Sequence, residues 1–391
     1  MSGRAELITN LRSRDYLATL CAKVETVFEV PPGRVQLCKG AQVFAPGALF
    51  SSLSALGVGE GAELSFVRKV ATGTLDMIPV DGIHRGNTKW ISGVAVKSRL
   101  YFAPMDAPCI LCFDVASGSA RGIPTQPLHR GSFKWAAGVA VKGSVFWAPR
   151  RAPGILKLDT STGLVSCTST RHIHCADPVG EGSWYGAVAV GNRVFFSPLD
   201  APCILELDVV TGDLRCISTG SVFSGRSKWG GGIAVNGSIY FAPRGASCIL
   251  QLEIASGVMR GITTDQIFSG NFFKWGNAVE LRGCIYFAPA MAPCVLKLDT
   301  ATGCVSGVHT DRIHVGGLKW VGGAELDGIL YFAPLEAPCI LRLDPVTEEV
   351  SEMLIDDINH WHGGAKWGCA TSFCGDIYFA PLDSSYILKL S

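Results

Sequence analysis

Along most of the chain, apolar residues fall in short β-type runs rather than at helical spacing. Residues 134–170, KWAAGVAVKGSVFWAPRRAPGILKLDTSTGLVSCTST, contain four of them: GVAV, SVFWAP, ILKLD and LVSCTS. The separators KG, RRAPG and TSTG are turn chemistry, and short Gly-containing loops favour tight antiparallel hairpins. No run is long enough for a helix of mean length, so the stretch predicts a four-stranded antiparallel unit.

The unit recurs. Tryptophans stand at Trp90, Trp135, Trp184, Trp229, Trp275, Trp320 and Trp367. Each is followed at a fixed offset by a proline: Pro104, Pro149, Pro198, Pro243, Pro289, Pro334 and Pro381, usually within YFAP or FFSP. Five residues further on stand Cys109, Gly154, Cys203, Cys248, Cys294, Cys339 and Tyr386, each opening an Ile-Leu or Val-Leu run. A period near 45 residues with four strands per unit predicts a mainly β fold, a seven-bladed β-propeller over residues 70–391. The last unit stops at its third strand, YILKLS, while ATGTLDMIPV at residues 71–80 reads like the fourth-strand stretch ATGCVSGVHT. The expectation is a 3+1 closure in which the first and last segments pair and no edge is left exposed.

Residues 1–69 change character. LATLCAKVETVFEV has helical apolar spacing at Leu17, Leu20, Val24 and Val27. A Pro31-Pro32 turn, the strand RVQLCKG and a final strand ELSFVRK follow, predicting a small α+β unit.

Two resemblances follow from these motifs. The pattern KW..G......IYFAP..APCILKLD..TG resembles kelch-like and related short-repeat propellers, although a clean Gly-Gly doublet is missing. Such propellers serve as binding scaffolds, hydrolases, lyases and oxidoreductases, so this implies fold more than function. The run from Arg14 to Phe44, with LSALGVGEGAELSFVRK, resembles a ubiquitin-like domain. Residues 5–11 would supply its second strand but not its first, so a partial domain is expected. VRKVATG stands where a Gly-Gly tail would be, which argues against conjugation. The resemblance implies an apolar recognition patch at Cys38 and Val67, with Gln42 nearby, and partners in the ubiquitin or proteasome machinery.

Charge narrows the partners. With 34 Lys+Arg against 33 Asp+Glu the formal charge is +1, so no electrostatic bias toward nucleic acid or an anionic membrane is expected. No apolar stretch is long enough for a membrane helix, and the first twenty residues lack a signal-peptide pattern. The expected address is therefore cytoplasmic or nuclear, with the fifteen cysteines read as reduced thiols. Cys109 and Cys112 form a CxxC within a strand, where residues three apart point to opposite faces, and read as buried small hydrophobes rather than a zinc or redox pair.

Candidate chemistry lies on the loops that enter each first strand. Lys89, Lys134, Lys228, Lys274, Lys319 and Lys366 each precede the repeat tryptophan, with Ser183 breaking the set. A lysine ring at a propeller mouth would concentrate an acidic peptide or phosphorylated ligand. The alternative, favoured by a recurrence that follows the fold's own period, is blade packing with each lysine stem laid over apolar surface. His84, His129, His174, His314, His360 and His362 sit in separate loops and read as loop histidines bonded to backbone rather than metal ligands.

Five residues after each tryptophan the series reads Ala95, Ala140, Ala189, Ala234, Glu280, Glu325 and Ser372. The two adjacent carboxylates would bind a cation or act as an acid/base pair, or else meet solvent or pair with Arg282. GxSxG, GxxxxGK[ST] and HExxH are all missing. The leading expectation is a non-enzymatic scaffold with no cofactor and no metal that binds a protein or peptide on its loop face. The rival is an enzyme or small-molecule or cation binder using the axial channel.

Overall fold

The computed structural model describes residues 17–27, 35–39, 42–44, 52–56, 58, 64–68, 73–174, 182–270, 272–355 and 364–391. From Leu75 onward these residues form the seven blades of a β-propeller, each a four-stranded antiparallel sheet. The small N-terminal unit contains α1 (Leu17–Val27), β1 (Val35–Lys39), β2 (Gln42–Val43) and β3 (Ser65–Arg68). A further strand, β4 (Leu75–Pro79), precedes blade 1, which comprises β5 (Trp90–Val96), β6 (Arg99–Pro104), β7 (Cys109–Asp114) and β8 (Ser119–Pro124), paired in that order.

Hairpin chemistry sets each blade's register. In five blades the two-residue turn between first and second strands carries Lys142-Gly143, Asn236-Gly237, Arg282-Gly283, Asp327-Gly328 or Cys374-Gly375. Both residues of each pair have positive φ, which matches the right-handed twist of the flanking strands. Second and third strands are buried almost throughout, whereas fourth strands are largely exposed and form the rim. First strands of successive blades pack side by side around the axis. Their approach leaves no room for side chains at Gly276 and Gly368, where an added Cβ would meet the carbonyl oxygens of Val321 and Ile91 at 2.1 and 2.2 Å.

The repeat tryptophans are the largest buried side chains, each at most 2% exposed. Each indole Nε1–H donates to the carbonyl of the residue opening its own blade's third strand, at 2.8–3.0 Å, from Cys109 in blade 1 to Tyr386 in blade 7. This fixed partner explains why the offset from tryptophan to that residue is constant: a buried indole N–H without its acceptor costs about 1–3 kcal/mol.

The last blade, with strands Trp367–Phe373, Asp376–Pro381 and Tyr386–Leu390, takes β4 as its fourth strand. Leu75 pairs with Leu390 and Pro79 with Tyr386, and bonds from Gly73 N to Ser391 O and from Val80 N to Ser385 O extend the ladder.

In the N-terminal unit the sheet order is β2-β1-β3. Leu17, Leu20 and Val24, three of the four residues on the expected helical stripe, are buried with Cys21 against Val35, Leu37, Phe44, Leu53 and Val58. Cys38 lies in β1 opposite Ser65, and Val67 lies in β3 opposite Gln36. Residues 5–11 and Pro31-Pro32 lie outside the described residues. No described helix is long and apolar enough to cross a membrane.

The expectation that every cysteine is a free thiol needs correction, because Cys203 and Cys216 form a disulfide with Cα atoms 5.6 Å apart. The reason lies in the repeat. The residue diagonal to the third-strand cysteine is Gly122, Gly261 or Gly307 in blades 1, 4 and 5, where an added Cβ would meet the cysteine Sγ at 2.7–2.8 Å. Blade 2 reverses the pair as Gly154 and Cys167. Blade 3 places cysteine at both positions. Cys109 and Cys112 are separate buried thiols, and burial pushes Cys109 up to about 11.

Deleting residues 70–80 removes the outer strand of the last blade and should lower Tm by more than 10 °C, since a ladder of five residue pairs and its apolar contacts are lost. Differential scanning calorimetry of the deletion and the full chain provides the comparison, and an unchanged melt would contradict the pairing of β4.

Candidate functional site

The loops entering first strands and those joining second to third strands share one end of the propeller. There the backbone forms a closed hydrogen-bonded circuit. The residue before each tryptophan donates its N–H to the carbonyl of the residue after the preceding blade's YFAP-type proline: Lys134 to Met105, Ser183 to Arg150, Lys228 to Leu199, Lys274 to Arg244, Lys319 to Ala290 and Lys366 to Leu335. Its own carbonyl accepts from the corresponding residue of its own blade, as Met105 N to Lys89 O and Leu382 N to Lys366 O. The junction between last and first blades is made the same way, Lys89 N to Leu382 O at 2.8 Å. All of these bonds lie between 2.6 and 3.1 Å.

The lysines serve this circuit. Lys89, Lys134, Lys228, Lys274, Lys319 and Lys366 are at most 5% exposed, so they do not form the displayed cationic ring that a mouth position suggests. Their Nζ atoms donate to loop carbonyls, such as Met105 O and Gly131 O for Lys134, Leu199 O and Gly225 O for Lys228, and Ala246 O for Lys274. An ammonium has three donors and no acceptor, which suits a convergence of carbonyls. Burial pulls Lys134 and Lys228 down to about 8.

The histidines are packing elements too. His84, His129, His174 and His314 meet their blade's tryptophan edge-to-face with ring centroids 5.9–6.2 Å apart, and Phe223 and Phe268 take the same place in blades 4 and 5. Burial, then the charge of the nearby lysines, holds these imidazoles below their ordinary pKa. Among the described residues no group of three or more His, Cys, Asp or Glu is placed to hold a metal. His360 and His362 lie outside the described residues.

Glu280 and Glu325 are turn locks. Each carboxylate accepts the N–H of the glycine three residues on, Gly283 at 2.8 Å and Gly328 at 2.6 Å, at the end of its first-strand hairpin. One oxygen of each side chain is therefore committed to its own turn, and the expected pairing with Arg282 is not the bond that fixes either of them.

The departures from the repeat that do converge lie at the loop-rich mouth. Five blades carry Met105, Leu199, Ala290, Leu335 and Leu382 after the YFAP-type proline, and these join Ile91, Ala136, Tyr185, Phe273 and Val321 in an apolar plug. Blades 2 and 4 carry Arg150 and Arg244 instead, only 9% and 5% exposed. Both guanidiniums approach the Tyr185 ring, at 5.7 and 5.3 Å from its centroid. Arg244 lies 3.5 Å from the Phe273 centroid, and Arg150 and Arg151 lie 4.7 and 5.1 Å from that of Phe133. Guanidiniums and rings thus alternate in one row, and such contacts contribute roughly 0.5–2 kcal/mol each.

Three junctions carry a further clasp. Asp106, Asp200 and Asp383 accept the N–H of Phe133, Ser227 and Thr88 in the next blade's entry loop. The equivalent residues of blades 2, 4, 5 and 6 are Arg151, Gly245, Met291 and Glu336; across the first two of these junctions Arg150 meets Tyr185 and Arg244 meets Phe273. Sequence reasoning that sought repeat breaks only five residues after the tryptophan missed these positions. The same comparison applied one residue after the proline and next to the tryptophan isolates Arg150, Arg244, Phe133, Tyr185 and Phe273.

Beside the mouth, three large apolar side chains on the loops of blade 5 and the loop entering blade 6 are exposed: Phe272 at 48%, Met291 at 38% and Val315 at 73%. At the opposite end Leu164, Val210, Val258 and Val346 are exposed singly, in the third-to-fourth strand turns of separate blades.

Comparison with solved structures agrees with the fold. A streptogramin B lyase superposes with a TM-score of 0.63 at 16% identity, over 81% of this chain and 97% of that one. The extracellular domain of a one-component system from B. thetaiotaomicron gives 0.60 at 13% identity, over 81% of this chain and 39% of that chain. The Cps50 (Swd1) β-propeller domain of Myceliophteria thermophila gives 0.57 at 9% identity, over 81% and 99%. At these identities the likeness is one of architecture alone. No protein-family model and no curated protein matches the chain. Fold and neighbours together define a seven-bladed β-propeller protein.

The depressed lysines carry a pH signature. Because the folded-state pKa of Lys134 is below its unfolded value, the folded chain loses this proton first as pH rises, so the ionised lysine disfavours folding at neutral pH. That penalty fades between about 8 and 10.5. In thermal melts at pH 7 and pH 10, Lys134→Met should therefore be less stable than wild type by a margin that widens at the higher pH. A constant margin would contradict the buried, desolvated lysine.

Proposed function

We propose that this chain is a non-catalytic scaffold whose propeller binds a protein or peptide on its loop-rich face. The observation that carries this reading is the exposure of Phe272 and Met291 on the loops of blade 5 and of Val315 on the loop that enters blade 6, all at that face. Apolar side chains exposed singly need no explanation, whereas a group beside a loop-lined mouth is the usual mark of a docking surface. The axial-channel reading would draw on Glu280 and Glu325, each of which has one oxygen engaged with its own turn.

The finer reading joins a partial ubiquitin-like domain at residues 1–69 to a kelch-like propeller at 70–391 closed in 3+1 fashion. The helix-on-sheet core of the N-terminal unit and the pairing of β4 with the last strand support it. On this reading the N-terminal patch around Cys38 and Val67 links the propeller's partner to ubiquitin or proteasome machinery, in the cytoplasm or nucleus. The Cys203–Cys216 bridge argues against that address, because reducing compartments oppose disulfides.

The test is affinity capture from soluble extract with the full chain, with Phe272→Asp/Val315→Asp, and with Val67→Asp, followed by mass spectrometry. Proteins retained by wild type should be lost with Phe272→Asp/Val315→Asp, and ubiquitin-pathway components should be lost with Val67→Asp alone. Identical protein sets from all three would contradict both assignments.

A further inference from the structure

Of the seven asparagines in the chain, Asn236 alone is followed by glycine. The pair forms the two-residue turn between the first and second strands of blade 4, Trp229–Val235 and Ser238–Pro243, at the end of the propeller opposite the mouth. Both residues are exposed, with φ of 48° and 77°. The same turn, with nearly the same backbone, carries Arg282-Gly283 in blade 5 (55° and 79°) and Asp327-Gly328 in blade 6 (52° and 79°).

What separates blade 4 from the two blades after it is the glycine amide. In blades 5 and 6, Gly283 N–H and Gly328 N–H donate to the carboxylates of Glu280 and Glu325. Blade 4 carries Ala234 in the same register, opposite Ile239 as Glu280 lies opposite Ile285 and Glu325 opposite Leu330. With no carboxylate there, Gly237 N–H meets no acceptor among the described residues. The Asn236 side chain is held only by a bond from Nδ2 to Thr300 Oγ1 at 3.4 Å, long for a hydrogen bond. The other turns without a glutamate, Lys97-Ser98, Lys142-Gly143, Gly191-Asn192 and Cys374-Gly375, place no carboxamide or carboxyl side chain ahead of a glycine.

We infer that Asn236-Gly237 is a self-modification site, an unlocked turn that deamidates in the folded protein, and that Glu325 shields the equivalent Asp327-Gly328 pair from the parallel reaction. The Gly237 amide nitrogen gives its proton to hydroxide and attacks Cγ of Asn236. The new C–N bond closes a cyclic succinimide while the Cγ–Nδ2 bond breaks and ammonia leaves. Water then opens the ring at either carbonyl, leaving aspartate or isoaspartate at position 236. One water is consumed and one ammonia released, with no oxidant or cofactor. Glycine favours the step because no side chain crowds its nitrogen and its backbone turns freely. A carboxylate on the glycine N–H opposes it twice, by holding the turn and by disfavouring loss of that proton beside a negative charge. The isoaspartate product adds a main-chain atom to a two-residue turn whose geometry matches the flanking strands, so the modification loosens the first hairpin of blade 4.

The test is peptide mass spectrometry of the full chain kept folded at neutral and at mildly alkaline pH, with released ammonia assayed in parallel. Wild type should convert Asn236 at least tenfold faster than any other asparagine, and faster at the higher pH. Ala234→Glu installs the lock of blades 5 and 6 while leaving the Asn-Gly pair intact. It should slow the conversion at least tenfold, and urea should abolish the difference. Asn236→Lys, which installs the turn of blade 2, should lower ammonia release to the level of the remaining asparagines. Glu325→Ala should start isoaspartate formation at Asp327, read by fragmentation because the mass does not change, and this arm decides the matter if Ala234→Glu fails to fold.

An Asn236 that stays intact in the folded chain, or converts only in urea, would overturn the inference. Conversion of the Ala234→Glu chain at the wild-type rate would overturn it too, leaving a sequence motif without a structural lock. An unchanged Asp327 in Glu325→Ala would refute the shielding role of the glutamate.

Discussion

The structure depends on one backbone circuit: at each of the seven junctions, the residue before the tryptophan joins its own blade's second-to-third strand loop to that of the blade before it. A single such bond contributes only about 1 kcal/mol net. Its importance lies in geometry, because buried N–H and C=O groups must be paired and here each partner sits on a neighbouring blade. The circuit fixes where each first strand begins, and so the register of the tryptophan below it and of the hairpins beyond. The buried lysines belong to the same device, their ammonium groups gathering loop carbonyls that would otherwise lack a donor.

Positions that keep the period build the ring, and a few that break it gather in one buried row at the mouth. Tryptophan, lysine and the edge-on His or Phe repeat around the circle because each blade needs the same seal. Arg150, Tyr185, Arg244, Phe133 and Phe273 depart from that pattern while still serving it, since Arg150 on Tyr185 and Arg244 on Phe273 join neighbouring blades by stacking. One set of residues therefore closes the fold and concentrates charge on one sector of the mouth.

Much of this architecture is legible in the sequence. The constant offsets from tryptophan to proline and onward reflect hydrogen bonds of fixed geometry, so blade number and strand order can be read without a structure. Burial was harder to read. A lysine that recurs with the fold's own period reads as blade packing by its stem, and only the converging carbonyls reveal the ammonium groups of Lys134 and Lys228 as interior cations. Glu280 and Glu325 look like a catalytic pair because periodicity gives their depth but not their direction toward Gly283 and Gly328. The Cys203–Cys216 bridge required the register of third and fourth strands, which a sequence gives only to within a residue or two. The arginine row is legible in principle, since each member breaks the repeat, but its convergence depends on which blades are neighbours.

The claim most open to direct measurement is that the circuit is continuous through the junction of the chain's two ends. Site-resolved amide hydrogen exchange of the native protein compares Lys89 with Lys134, Ser183, Lys228, Lys274, Lys319 and Lys366, whose N–H groups make equivalent bonds. The account predicts that Lys89 exchanges as slowly as the other six, through opening of the whole ring. Exchange of Lys89 at the rate of an exposed loop amide, with the others protected, would contradict it.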